Sequence, residues 1–151
     1  MDEKRPLFSI VTVTYNSARW VRQAIESVLA QPFADFELLI CDDCSQDDTW
    51  DIIHSYQDSR IRKYRNGFNI GEYPNRNKAL SLAKGHYLLI IDGDDILYKE
   101  TLVRHAALIN YFPDAGGIWG VTAMDIVVFP YQLTPEQITR LNYFLPIPSV
   151  L

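Results

Sequence analysis

The sequence has only two cysteines, Cys41 and Cys44. That excludes the multi-disulfide framework on which small secreted domains rely. It has no apolar run approaching the roughly 18 residues of a membrane-spanning helix. Its first residues, MDEKRPLFSI, lack the apolar core of a signal peptide. The expectation is a cytoplasmic chain, with peripheral association at the inner face of a membrane left open. Basic residues are in the minority: 14 Lys and Arg against 19 Asp and Glu, for a net charge of −5. A nucleic-acid binder would show a basic face, so that class is argued against. Low-complexity tracts, internal repeats and Ser/Gly-rich linkers are also lacking, and 151 residues suggest a single domain over 1–151.

What is present is apolar and aromatic. Hydrophobic residues make up 48% of the chain and aromatics 13%, enough for a packed core at this length. Residues 8–14 are rich in β-branched side chains and predict a strand. Ser17 is placed to cap a helix in which Val21, Ala24, Ile25, Val28 and Leu29 recur at helical spacing, and Pro32 ends it. Residues 36–41 predict a second strand. Ser45 and Asp48 resemble a capping box that opens a helix running to about Ser55. A short strand is expected at 61–64, a loop at 66–74, and a helix at 75–83 with Gly85 as its C-cap. Residues 87–91 form a continuous apolar run, read as a strand buried on both faces. A helix at 99–110 and a short strand at 117–121 follow. Further on, residues 126–129 suit a strand, and Thr134-Pro135-Glu136 suits a helix start. The alternation of strand and helix predicts a Rossmann-like α/β fold: a mostly parallel sheet with helices on both faces.

Ligands of such sheets bind beyond the carboxyl ends of the strands. The residues there are Tyr15 and Asn16 after the first strand, which ends on Thr14, Asp42 and Asp43 after the second, and Asp92-Gly93-Asp94-Asp95 after the fourth. An Asp-Gly turn is the plain explanation of the last group. Its position argues for more. Carboxylates about 5 Å apart repel by roughly 3 kcal/mol at an effective dielectric near 20. Five apolar residues followed by D-x-D-D aim that charge at the ligand end of the sheet. Hard oxygens there suit Mg²⁺ or Mn²⁺, which typically takes one or two carboxylates and completes its shell with substrate phosphates. Asp43 could accept hydrogen bonds from a base or ribose, or merely begin a turn. Tyr15 could stack on a base. Arg76, beside Asn77, could bind phosphate.

At these residues the chain resembles the family 2 glycosyltransferases, which have the GT-A fold. The matching stretches are SIVTVTYNSARWVRQAIESVLAQ, FELLICDDCSQDDTWDII, NIGEYPNRNKALSLAKGHYLLIIDGDDIL and INYFPDAGGIWG, in the family's order and spacing over roughly residues 8–125. The resemblance implies a nucleotide-sugar-binding core at 8–125, with the start of an acceptor-side region at 126–151. It implies that Thr14, Tyr15, Asn16 and Asp43 line the base and ribose pocket. Asn69 and Gly71 match the family's N-x-G loop, and Arg76 and Asn77 its R-N pair beside the donor. Asp92, Asp94 and Asp95 fall at its D-x-D, with Asp94 and Asp95 nearest a divalent Mn²⁺ or Mg²⁺. The implied reaction is transfer of a sugar, from a UDP-sugar first of all, to a saccharide or lipid-linked acceptor with inversion. Self-association is left open.

One departure bears on activity. The family's general base is an Asp or Glu well downstream of the D-x-D, and past residue 125 the sole acid here is Glu136. With an apolar residue at position 151 and no stop signal, the expectation is a truncated chain whose catalytic base lies beyond Leu151. A catalytically incomplete donor-binding fragment is therefore the first alternative. A haloacid-dehalogenase-like phosphotransferase also places D-x-D after an apolar strand, but Gly-Thr usually follows its second Asp, where Asp95-Ile96 stands here. A redox or zinc module on Cys41-x-x-Cys44 is disfavoured by two intervening carboxylates, which oppose thiolate formation. Two further zinc ligands are also missing, because the three histidines are scattered.

Overall fold

The computed structural model describes residues 5–117. The chain divides into two compact units, Met1–Val103 and Arg104–Leu151. The sheet and every site residue discussed below belong to the first. The strand expected at 117–121 falls almost wholly outside the described residues, and the elements expected beyond it lie wholly outside them.

Four strands form one parallel sheet: β1 (Phe8–Thr14), β2 (Phe36–Asp42), β3 (Ile61–Arg65) and β4 (Tyr87–Asp92), in the spatial order β3-β2-β1-β4. Between them come helices α1 (Val21–Leu29), α2 (Thr49–Ser55) and α3 (Glu72–Ser81), and α4 (Thr101–Tyr111) follows β4. The chain steps outward from β1 to β3, and α3 then carries it back past β1 to β4. Right-handed crossovers therefore put α1 and α2 on one face and α3 on the other. Side-chain alternation agrees. Val11, Val13, Leu39 and Cys41 share a face and pack in one cluster with Ala79 of α3.

Every residue of β1 and β2 is buried, as central parallel strands require. Ile10, Leu38, Leu39 and Ile40 from the sheet, Ile25 from α1 and Ile53 from α2 are wholly enclosed. Each such side chain contributes about 1.5–3 kcal/mol of burial. β4 departs from expectation. Leu88 is 54% exposed and Ile90 44%, because β4 ends the sheet among the described residues.

Helix starts also differ. Ser17 does not cap α1 with its hydroxyl; its carbonyl accepts the N–H groups of Trp20 and Val21 instead. Nor do Ser45 and Asp48 form a capping box, since α2 begins only at Thr49 and has no side-chain cap. Helix α3 begins at Glu72, three residues before the expected start. Pro74 is tolerated there because a first-turn residue has no intrahelical use for an N–H. Gly85 is not a C-cap. A Cβ on it would stand 2.5 Å from the Ser9 nitrogen and 2.7 Å from the Phe8 carbonyl carbon, so glycine is required by close approach to β1.

Candidate functional site

The parallel register sets the site. Thr14 pairs with Asp42 and Val13 with Asp92, so the three strand ends lie together at the carboxyl edge of the sheet. The Asp43 N–H donates to the Thr14 carbonyl at 2.8 Å and extends that ladder by one step. After β4 the chain turns at residues 92–95, closed by the Asp95 N–H on the Asp92 carbonyl at 3.0 Å. Gly93 seats this turn on β1. A Cβ there would lie 2.7 Å from Thr14 Cγ2 and 3.2 Å from the Val13 carbonyl. The glycine of D-G-D-D thus lets the acidic turn rest directly on the end of the central strand.

Arg76 reaches this turn from α3. Its Nη2 donates to Asp92 Oδ1 at 2.7 Å and to Glu72 Oε1 at 3.2 Å. Its Nε is buried with no partner. The expected phosphate-binding arginine therefore meets a carboxylate here, and Asp92 is held by a cation. Asp94 and Asp95 are exposed. Among the described residues no three His, Cys, Asp or Glu side chains gather closely enough to hold a metal ion. The expected three-carboxylate set of Asp92, Asp94 and Asp95 is thus not assembled. Asn77 is exposed on α3, and no described contact ties it to the strand ends.

The loops after β1 and β2 are fastened to each other. Asn16 N–H donates to Ser45 Oγ at 2.9 Å, and its Oδ1 accepts the Gln46 N–H at 2.8 Å. Ser17 N–H reaches Thr49 Oγ1 at 2.7 Å, and Ala18 N–H reaches Asp47 Oδ2 at 3.1 Å. Burial works to raise the Asp47 carboxyl, but the Thr49 hydroxyl and the N–H groups of Thr49 and Ala18 hold it below its ordinary value. Asn16, with φ +51°, is thereby occupied in shaping the loop. Thr14 is likewise buried, and its hydroxyl donates to Asp42 Oδ1 at 3.1 Å. Asp42 is fully enclosed and also takes the Ser45 N–H and hydroxyl. Tyr15, by contrast, is 49% exposed beside these loops.

Asp43 is 2% exposed. Its Oδ1 accepts Asn66 Nδ2 at 2.7 Å and Ile70 N–H at 2.9 Å; its Oδ2 accepts Gly71 N–H at 2.8 Å. A carboxylate offers about four lone pairs, so these three donors leave one, on Oδ2. Gly71 has φ +90°, which suits glycine. The sequence reading did not single out Asn66 and Asn75, which stand behind Asp43. A signal existed. Asn75 is four residues before Ala79, so it lies on the buried face of α3.

Both cysteines are free thiols. Burial pushes the Cys41 thiol up to about 11, against the pull of the Lys78 and Arg62 charges.

Comparison with known proteins bears on this arrangement. The family model for glycosyl transferase family 2 matches residues 9–146. A UDP-Glc:alpha-D-GlcNAc-diphosphoundecaprenol beta-1,3-glucosyltransferase of Escherichia coli is 44% identical over 59% of this chain and 36% of its own length. A putative teichuronic acid biosynthesis glycosyltransferase of Bacillus subtilis is 38% identical over 100% of this chain and 57% of its own. The crystal structure of residues 1–349 of Staphylococcus aureus TarS in complex with UDP-GlcNAc superposes with a TM-score of 0.67 at 34% identity, covering 70% of this chain and 32% of that one. The chain thus spans between about a third and three-fifths of the length of these proteins. The four-stranded parallel sheet with its helices is that of the GT-A glycosyltransferases.

Proposed function

Since the chain belongs to glycosyl transferase family 2, we propose that the carboxyl edge of its sheet binds a nucleoside-diphosphate sugar. In this reading the whole protein transfers that sugar, with inversion, to a saccharide or lipid-linked acceptor during polysaccharide biosynthesis. The observation that carries the reading is the seating of the 92–95 turn on the end of β1, with Arg76 on Asp92. It brings acidic and basic groups to the edge where Tyr15 and Asp43 also lie. A UDP-sugar is favoured because the E. coli relative is named for UDP-Glc and the TarS structure holds UDP-GlcNAc.

Each residue then has a task. Tyr15 offers an exposed ring for a base to stack on. The remaining Asp43 lone pair accepts one N–H or O–H of the base or ribose. Arg76, with its unpartnered Nε, exchanges a carboxylate for the diphosphate, for which a guanidinium fork is well shaped. Asp94 and Asp95, exposed oxygen donors, would hold Mn²⁺ or Mg²⁺. Two carboxylates suffice where phosphates complete the shell. The metal's contribution when bound is to neutralise charge on the departing diphosphate.

Inverting transfer also needs a base for the acceptor hydroxyl, worth about 10²–10⁴-fold. That task falls to a residue outside those described. The second reading follows from the chain's share of its relatives' length: the 151 residues bind donor without transferring it. A cytoplasmic site at the inner membrane face fits a lipid-linked acceptor. Among the described residues no helix is long and apolar enough to cross a membrane.

The test is calorimetry of the 151-residue chain with UDP, GDP and CMP, each with and without Mn²⁺, followed by a radiolabelled-donor assay. Saturable, Mn²⁺-dependent UDP binding is expected. Absence of binding by any nucleotide would remove the donor site. Binding without transfer would select the second reading.

A further inference from the structure

Behind Asp43 lies a chain of polar side chains whose hydrogen bonds end at the proposed donor pocket. Asn75, 1% exposed on α3, donates from Nδ2 to the Cys41 carbonyl at 2.9 Å and accepts Asn66 Nδ2 on its Oδ1 at 3.0 Å. Asn66, 6% exposed, gives its other amide hydrogen to Asp43 Oδ1 at 2.7 Å. Its own Oδ1 accepts Lys78 Nζ at 2.7 Å. The Asn66 amide cannot turn over. Reversed, its oxygen would face the Asp43 carboxylate and the Asn75 oxygen, and its NH₂ would face the Lys78 ammonium. Strand β2, helix α3 and the segment after β3 are thus tied to one carboxylate. That carboxylate in turn holds the Ile70 and Gly71 N–H groups at 2.9 and 2.8 Å.

We propose that Asn66, Asn75 and Lys78 are positioning residues: a buried relay that sets Asp43 and the 66–71 loop in the geometry that receives the donor nucleotide. The proposal rests on the donor-binding reading above. Two arguments carry it. Buried amides are costly unless every group is satisfied, and a half-satisfied network is worse than an apolar core. This one is satisfied in the arrangement observed, which places two donors on Asp43 Oδ1 and one on Oδ2. Second, the relay fixes which lone pair remains. Loss of the Asn66 donor frees the carboxylate to rotate, and the Ile70 and Gly71 amides lose their common acceptor.

The test uses the full 151-residue chain and two variants. Asn75→Ala removes the link to β2. Asn66→Asp keeps the shape and serves if Asn75→Ala fails to fold. It sets a second carboxylate against Asp43, with Lys78 the other charged group facing position 66. Repulsion between the two carboxylates raises the pKa of one, so that both are charged at pH 8 and one is protonated near pH 5.5. Hydrogen exchange without nucleotide should show the Ile70 and Gly71 amides exchanging at least about tenfold faster in either variant. UDP affinity by calorimetry should fall about 10- to 100-fold at pH 8. For Asn66→Asp it should recover toward wild type as pH is lowered to 5.5, while wild type shows no such recovery. Wild-type exchange rates at Ile70 and Gly71 in Asn66→Asp, or a UDP affinity in that variant with no recovery at lower pH, would overturn the proposal. Failure of the wild-type chain to bind UDP would overturn the donor reading and this role together, and the exchange rates would then show only a loop brace.

Discussion

Arg76 Nη2 stands 2.7 Å from Asp92 Oδ1, so the first carboxylate of D-G-D-D is neutralised from helix α3 before any ligand arrives. The contact joins the helix that returns the chain across the sheet to the strand it delivers. It also makes Asp92 unlike Asp94 and Asp95, which face solvent. In the proposed donor site a diphosphate would meet a cation already in place, and Asp92 would have to share it.

Arg76→Ala should weaken UDP binding about 10- to 100-fold, the cost of a charge-assisted hydrogen bond lost from a partly shielded site. Arg76→Lys should restore only part of it, because an ammonium is a point charge and lacks the planar fork. Calorimetry at fixed salt reads both. Equal affinity for the Arg76→Lys variant and the wild-type chain would mean that charge alone acts.

The fold was legible because burial leaves few ways to write a central parallel strand. Residues 8–14 read as strand and are β1 without change, and the other three strands differ from expectation only by one residue at their ends. The helix starts were less legible. Ser17 and Ser45 carry the right side chains for caps, yet tertiary contacts claim both: Ser45 serves Asp42 and Asn16. The same competition hid part of the site. Asp43, Tyr15 and the acidic turn announce themselves as residues after apolar runs. Thr14 and Asn16 share that position but are spent on Asp42 and Gln46. Asn66 opens a stretch of glycines, asparagines and a proline that reads as loop, and Asn75 reads as the start of a helix, where a polar side chain passes for a solvent-facing one.

The two glycines at close approaches should separate fold from site. Gly85→Ala drives a Cβ against backbone atoms of β1, which cannot yield, so a loss of about 1–3 kcal/mol or more is expected in urea unfolding. Gly93→Ala meets the Thr14 methyl first. It should cost less stability but displace the acidic turn and weaken Mn²⁺-dependent UDP binding at least about tenfold. Identical behaviour of the two variants in both assays would contradict the division.

Acid should destabilise the sheet through Glu37. Burial works to raise its carboxyl, but the Ser9 hydroxyl, Arg62 and the Lys84 N–H hold it below its ordinary 4.5. A depressed carboxylate adds stability that is fully present above its unfolded value and disappears as pH falls through its folded one. Asp58, held at about 2 by hydrogen bonds from Arg60, acts in the same direction between 3.8 and about 2, weakened by its exposure. The contribution of these two carboxylates should therefore be level from pH 7 to 5 and fall below about pH 4.5; His105, whose burial pushes it below its ordinary 6.5, adds a separate loss as pH drops past that value. Glu37→Gln should lower stability at pH 7 by about 1–3 kcal/mol and flatten the first part of the acid limb. An acid limb unchanged by Glu37→Gln would assign it to other groups.

Divalent metal should be required for tight donor binding. A diphosphate brought to this edge faces Asp92, Asp94 and Asp95, and Arg76 offsets only the first of them. Each like-charge pair about 5 Å apart costs roughly 3 kcal/mol at an effective dielectric near 20, so an uncompensated diphosphate would be repelled. A cation shared by Asp94 or Asp95 and the phosphates reverses that sign. Excess chelator should therefore weaken UDP binding to wild type by at least about tenfold, less than the roughly 100-fold of an unscreened pair because Asp94 and Asp95 are exposed to solvent. Asp94→Asn removes a charge from an exposed side chain, so the unliganded chain should keep its stability within about 0.5 kcal/mol. Its UDP affinity in Mn²⁺ should fall, while its affinity in chelator should match or exceed that of wild type, because one repulsive charge is gone. That crossover separates a metal ligand from a residue that merely shapes the turn: a shape defect would lower both affinities alike.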